Sequence, residues 1–235
     1  MLGRVGGVLV VGGMLLLAGL SCLDESPTRS EPSPVFFSLS PGAQWTYEYV
    51  IDDSTRDWMI RVRDERVVVM GDTFWALDYY SDGALTLTDY FAQESGRLYL
   101  AGERSVAWED TFVMVLSPPL LYTPASGEPG ETWSSVGAVT NLKITPATPA
   151  PETLVTEGHF AFTGRVLGEE RVTVPASEEP LDALWIEYYG ETDPWSPPEI
   201  HSYFWYAEDI GPVQTVDLIF GGRTVNRLSE YVQGK

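Results

Sequence analysis

The sequence predicts an all-β protein: a strongly curved antiparallel meander that forms an open or partly closed β-barrel with little helix. Three observations carry that reading. First, side chains alternate with a period of two. Trp45, Tyr47, Tyr49 and Ile51 are interleaved with Thr46, Glu48 and Val50, and Trp58, Ile60 and Val62 with Met59, Arg61 and Arg63. Such alternation sends successive side chains to opposite faces of a strand. Second, turn signals punctuate the runs at Gly71-Asp72, Ser81-Asp82-Gly83, Ser95-Gly96 and Gly221-Gly222. Third, no long segment has the helical period. The best short helical candidate, 116–122, contains Pro118-Pro119, which a helix interior tolerates poorly.

In chain order, the N-terminus carries Arg4 and then sixteen uncharged residues from Val5 to Leu20. A membrane-spanning helix needs about 20 apolar residues, so this run fits the apolar core of a signal peptide better than a permanent anchor. It closes on Ala18-Gly19-Leu20-Ser21-Cys22, which resembles the bacterial lipobox. That resemblance implies a signal peptide over 1–21, a diacylglyceryl group on the Cys22 thiol, cleavage before Cys22 and acylation of the new N-terminus. The alternative is an ordinary cleaved signal with an incidental cysteine. The residue after the cysteine is Leu23 and not aspartate, which in a Gram-negative cell resembles the pattern sent on to the outer membrane. The expected location is thus the outside of the cytoplasmic membrane or the outer membrane, with membrane lipid as the partner of acylated Cys22.

Residues 22–34 continue as a polar, proline-rich tether. The remainder, 35–235, is read as one β-domain. Its candidate strands are 44–51, 57–70, 73–80, 84–93, 97–104, 111–116, 131–144, 156–174, 183–191, 200–207, 212–220 and 223–232. The segment 145–152, rich in proline, is a loop. One element recurs: Pro41-Gly42-Ala43-Gln44-Trp45-Thr46 and Pro129-Gly130-Glu131-Thr132-Trp133-Ser134. Pro-Gly suits the central positions of a type II turn. The repeat is either the relic of a duplicated half or convergent turn chemistry.

Three pieces, FFSLSPGAQWTYEY (36–49), LLYTPASGEPGETWSS (120–135) and VTVPASEEPLDALWIEYY (172–189) followed by YFWYAEDIGPVQTV (203–216), resemble a broad group of bacterial lipoproteins of unassigned function. That group carries a Pro-Gly-x-x-Trp lead-in, a Val-Pro-Ala turn before a strand and a late Tyr-Trp-Tyr-Ala strand. The resemblance implies a curved antiparallel sheet similar to the LolA/LolB-type lipoprotein carriers, whose concave face holds acyl chains.

The composition narrows the partners. With 14 basic against 34 acidic residues the net charge is −20, a surface that repels nucleic acid. Cys22 is the only cysteine, so no intrachain disulfide forms. The two histidines, His159 and His201, lie in candidate strands without zinc-ligand spacing, and no nucleophile elbow or phosphate loop is present. No cofactor, metal site or catalytic residue is therefore expected. The doublets Asp52-Asp53, Glu169-Glu170 and Glu178-Glu179 read as solvated turns. Eight tryptophans, twelve tyrosines and nine phenylalanines all follow residue 35. They are either core and cross-strand ladder or the lining of a hydrophobic or carbohydrate-binding concavity. Tyr188-Tyr189 with Tyr203, Trp205 and Tyr206 is the first candidate patch.

The leading expectation is a membrane-anchored, non-enzymatic binding or envelope-assembly protein with a hydrophobic concave face, whose further partner is a lipid or another envelope protein. The alternatives are a structural or interaction subunit of a larger envelope complex, and a hydrolase in which His159 or His201 meets two or more carboxylates.

Overall fold

The structure is a computed structural model that describes residues 39–51, 54–69, 71–107, 109–146, 150–193, 199–218 and 222–235. The segments expected to be a leader (1–21) and a tether (22–34), with Cys22, lie outside the described residues, as do Asp52-Asp53. Among the described residues thirteen strands follow one another: β1 (Gln44–Ile51), β2 (Ser54–Val62), β3 (Val67–Val69), β4 (Asp72–Ser81), β5 (Ala84–Glu94), β6 (Arg97–Ala107), β7 (Asp110–Leu121), β8 (Thr132–Thr145), β9 (Glu152–Val172), β10 (Leu181–Asp193), β11 (Glu199–Ala207), β12 (Gly211–Asp217) and β13 (Thr224–Val232). Each pairs antiparallel with its neighbours. β1 returns to β13, and β2 pairs with β4, which closes the sheet into a barrel.

The expected all-β meander is therefore present, with two local corrections. The candidate strand 57–70 is interrupted at 63–66: Arg63 N still donates to Ala76 O on β4, and the chain then bends at Asp64-Glu65. β2 and β3 pair with successive stretches of the same β4 edge, so they form one broken staff of a twelve-stranded barrel. The helical candidate at 116–122 is strand instead. β7 runs to Leu121, and the ladders to β6 and β8 both skip Pro118 and Pro119, which are exposed. A residue without an N–H fits where no ladder bond is asked of it.

Alternation sorts the wall. Along β9, Phe160, Phe162, Gly164 and Val166 turn inward, while Glu157, His159, Ala161, Thr163 and Arg165 are exposed. This is apolar inside and charged outside, the reverse of a lipid-facing barrel wall. Among the described residues no helix is long and apolar enough to cross a membrane.

Both Pro-Gly turns sit at one end of the barrel and are built alike. Gly42 and Gly130 have φ of 78° and 89°, the left-handed region a type II turn requires. Ala43 N donates to Ser40 O, and Glu131 N donates to Glu128 O. Each glycine N–H then reaches the next strand's valine carbonyl, Val62 or Val166, and each of those valines donates back to the residue after the glycine. The tryptophans fall in matching rows: Trp45 opposite Ile60 opposite Tyr79, and Trp133 opposite Gly164 opposite Tyr188. The shared register favours the duplicated-half reading, with one turn opening β1–β7 and the other β8–β13. Gly164 has no side chain because the Trp133 ring occupies the space a Cβ would take.

That end is sealed. Trp45 Nε1 donates to Ile210 O at 2.6 Å, and Tyr231 stacks on the Trp45 ring. The Val-Pro-Ala turn docks through Ala176 N to Leu228 O. In the loop after β7, the Glu131 carboxylate accepts from the backbone N–H of Ala125, Ser126 and Gly127 and from Ser126 Oγ. Burial opposes its ionisation, but those donors hold its pKa below the ordinary range.

Candidate functional site

An eight-stranded barrel is filled by ordinary side chains, and one of sixteen or more encloses an aqueous channel. Twelve strands fall between, so rings are needed to fill the lumen and gaps remain. This accounts for the aromatic load. Tyr188 is the hub: it stacks on Tyr122 and Phe162 with centroids 5.4 Å away and meets Trp133 and Phe204 edge-on. Its hydroxyl donates to Tyr122 O at 3.1 Å and lies 3.4 Å from the Tyr206 hydroxyl.

Two cavities flank the Tyr122–Phe204 layer. The larger, about 190 Å³, crosses from β6–β7 to β9–β11; Leu116, Leu120, Phe160 and Phe162 give it an apolar wall, and Glu103 and Ser202 are among its polar groups. Its lining reaches Thr192 and Ile200, at the end of the barrel opposite the two Pro-Gly turns. The smaller, about 90 Å³, is lined by Tyr47, Trp58, Tyr79 and Asp217 among others.

Carboxyl groups are set into this apolar surround. Asp89 on β5 lies directly across from Glu103 on β6. Tyr79 donates its hydroxyl to Asp89 Oδ2 at 2.7 Å. Burial, reinforced by the Glu103 charge and opposed by the Tyr79 hydrogen bond, pushes the Asp89 pKa up to about 8. Burial raises Glu103 as well. Asp217 is raised by burial against the Ser202 hydroxyl, which donates to it at 2.6 Å. Asn226 links Thr215, Asp217 and the Trp58 indole N–H into one network.

The sequence-predicted residues distribute differently. Strand alternation divides the expected patch: Tyr188 and Tyr206 face the lumen, whereas Tyr189, Tyr203 and Trp205 lie on the other face. His201 meets a single carboxylate, Glu187, at 3.0 Å on that outer face, and Tyr203 donates to the same oxygen. His159 is exposed on β9. Glu170 accepts from Trp205 Nε1 at 2.8 Å, and Glu178-Glu179 form an exposed turn. Asp89, Glu103 and Asp217 went unnoticed in the sequence. Their only signal is an acid on the apolar phase of an alternating strand, as in Leu87-Thr88-Asp89-Tyr90-Phe91.

No family model and no curated protein sequence matches the chain. Its architecture places it among closed antiparallel barrels with an aromatic lumen. Among solved structures it is similar to a protein described as exported, with a YmcC-like fold, from Bacteroides fragilis NCTC 9343. The identity is 13%, 85% of this chain and 100% of that chain are covered, and the TM-score is 0.52. It is also similar to a protein described as a lipoprotein from Parabacteroides distasonis ATCC 8503, at 14% identity, 85% and 99% coverage and a TM-score of 0.50. At such identities the likeness is one of fold.

Proposed function

We propose that this protein is a lipid-anchored binding protein of the bacterial envelope whose barrel lumen takes up a small apolar molecule. The single observation that carries this reading is the 190 Å³ cavity with its apolar wall. An apolar cavity of about 150 Å³ suffices to bind benzene. The size favours one ring or a short alkyl segment over the full acyl chains held by LolA/LolB-type carriers. The exported and lipoprotein descriptions of the two fold neighbours support an envelope location, as does the lipobox-like Cys22. Two acyl chains or more give firm anchoring. Cys22→Ala is expected to abolish lipid labelling and membrane retention; labelling that persists contradicts the assignment.

The lumen is tested by calorimetric titration with 2-phenylethanol. Wild type is expected to bind saturably. Leu116→Trp, which fills the cavity, is expected to weaken binding about tenfold or more, a loss of ~1.4 kcal/mol. Equal affinity in the variant overturns the reading.

A second reading, an interaction subunit, is favoured by the outer face of β10–β11. Trp185 and Trp205 stack there at 7°. The buried Trp185 Nε1 has no acceptor among the described residues. It predicts a protein partner that co-purifies and is lost with Tyr203→Ala.

A further inference from the structure

The charge inside the lumen has one sign. Asp89, Glu103 and Asp217 face it from β5, β6 and β12, and no lysine, arginine or histidine among the described residues lines either cavity. Lys143 on β8 is 43% exposed and already paired with Asp110 at 2.8 Å. Glu191 also borders the larger cavity and accepts from the Tyr189 hydroxyl at 2.9 Å. The other titratable groups turned toward these carboxyls are Tyr47, Tyr79, Tyr122, Tyr188 and Tyr206, all kept neutral by burial.

Two polar side chains in this region lack the partners that buried groups ordinarily have. Glu103 borders the larger cavity and accepts no hydrogen bond from any described residue. Asn141 is 3% exposed, and neither its Nδ2 nor its Oδ1 has a partner among the described residues. The register puts both on one inward row: Asp89 opposite Glu103, Glu103 opposite Met114, Met114 opposite Asn141. Carboxyl groups beside an apolar cavity, with an unpaired amide on the same row and no cation supplied by the protein, are complementary to a ligand that brings its own.

We propose that the lumen ligand is an apolar molecule bearing a protonated amine, its ammonium received by Glu103 with Asp89 alongside and its body in the cavity walled by Leu116, Leu120, Phe160 and Phe162. The proposal rests on reading the lumen as the ligand site. An ammonium offers three donors and no acceptor, which matches the Glu103 carboxyl, left without a donor among the described residues. A carboxylate or phosphate ligand would bring like charge against three acids, so the same row excludes anionic molecules. Without a ligand the Asp89–Glu103 pair retains a proton, and an incoming cation displaces it.

The test is calorimetry on the acylated protein in phosphocholine nanodiscs, with empty nanodiscs as the blank. The probes are phenethylamine, 2-phenylethanol and phenylacetate, which share a ring and differ in head group. The expected result is that phenethylamine binds about tenfold or more tighter than the alcohol, that phenylacetate does not saturate, and that the amine's advantage grows between pH 6 and pH 8. Glu103→Gln and, independently, Asp89→Asn are expected to erase the amine's advantage over the alcohol. Equal binding of amine and alcohol to wild type overturns the inference while the lumen remains a binding site. Saturable phenylacetate binding, or an amine preference that survives in both variants, overturns it too. If none of the three probes binds, this inference and the ligand-site reading fall together.

Discussion

Tyr188→Ala is expected to destabilise the fold by about 4 kcal/mol, within the range for removing a buried aromatic side chain. The ring is 2% exposed and touches four others: Tyr122 and Phe162 stacked, Trp133 and Phe204 edge-on. A wide lumen gives these rings nothing else to close upon, so the gap stays open and the Tyr122 carbonyl loses its donor. For a domain of this length the midpoint of thermal unfolding should fall by about 8–16 °C. Tyr188→Phe keeps the stacking and removes the hydroxyl's hydrogen bonds to Tyr122 O and the Tyr206 hydroxyl, so its cost is about 1–2 kcal/mol. Denaturation followed by tryptophan fluorescence checks both. A cost for alanine no larger than that for phenylalanine would mean that the rings do not form the core of the barrel.

The second large effect is on pH dependence. An unfolded aspartate titrates near 3.9, whereas Asp89 in the barrel is held up at about 8. Between those values the unfolded chain releases a proton that the folded chain keeps. Asp89 therefore contributes stability below about pH 4 that is progressively lost as pH rises to about 8. An asparagine amide in its place cannot ionise and still accepts from the Tyr79 hydroxyl. Asp89→Asn is thus expected to be more stable than wild type at pH 8, on the order of 5 kcal/mol, with little difference at pH 4. Glu103, also raised, leaves a smaller slope of the same sign. Urea unfolding at intervals from pH 4 to pH 9 measures this. Parallel stability curves for the two proteins would show that Asp89 is ordinarily ionised and solvated in the fold.

The strands were legible because alternation and turn chemistry act locally. Each of the twelve candidate segments coincides with one staff of the barrel, and both Pro-Gly turns take the geometry their residues demand. Where a local rule met a tertiary requirement, the reading slipped. Pro118-Pro119 look like an interruption along the sequence, yet the strand passes through them because neither neighbour needs their amide. Arg63 falls on a continuing alternation and binds Asp78 at 2.6 Å, but the strand breaks just after it, at the bend Asp64-Glu65. The aromatic patch was misjoined because adjacency in sequence, as in Tyr188-Tyr189, means opposite faces in a strand. The lumen acids were hidden for the converse reason. Asp89 and Glu103 are fourteen positions apart, and only the cross-strand register makes them neighbours. No periodicity marks such a pair, since each strand tolerates one acid on its apolar phase.

The most direct test of the lumen as the ligand site is methyl-resolved NMR of the anchored protein titrated with 2-phenylethanol. The predicted result is shifts at Met114, Leu116, Leu120 and Ile200, which line the larger cavity, with the exposed methyls of Val136, Leu154 and Val155 unmoved. Shifts confined to those outer methyls, or none at saturating probe, would contradict it.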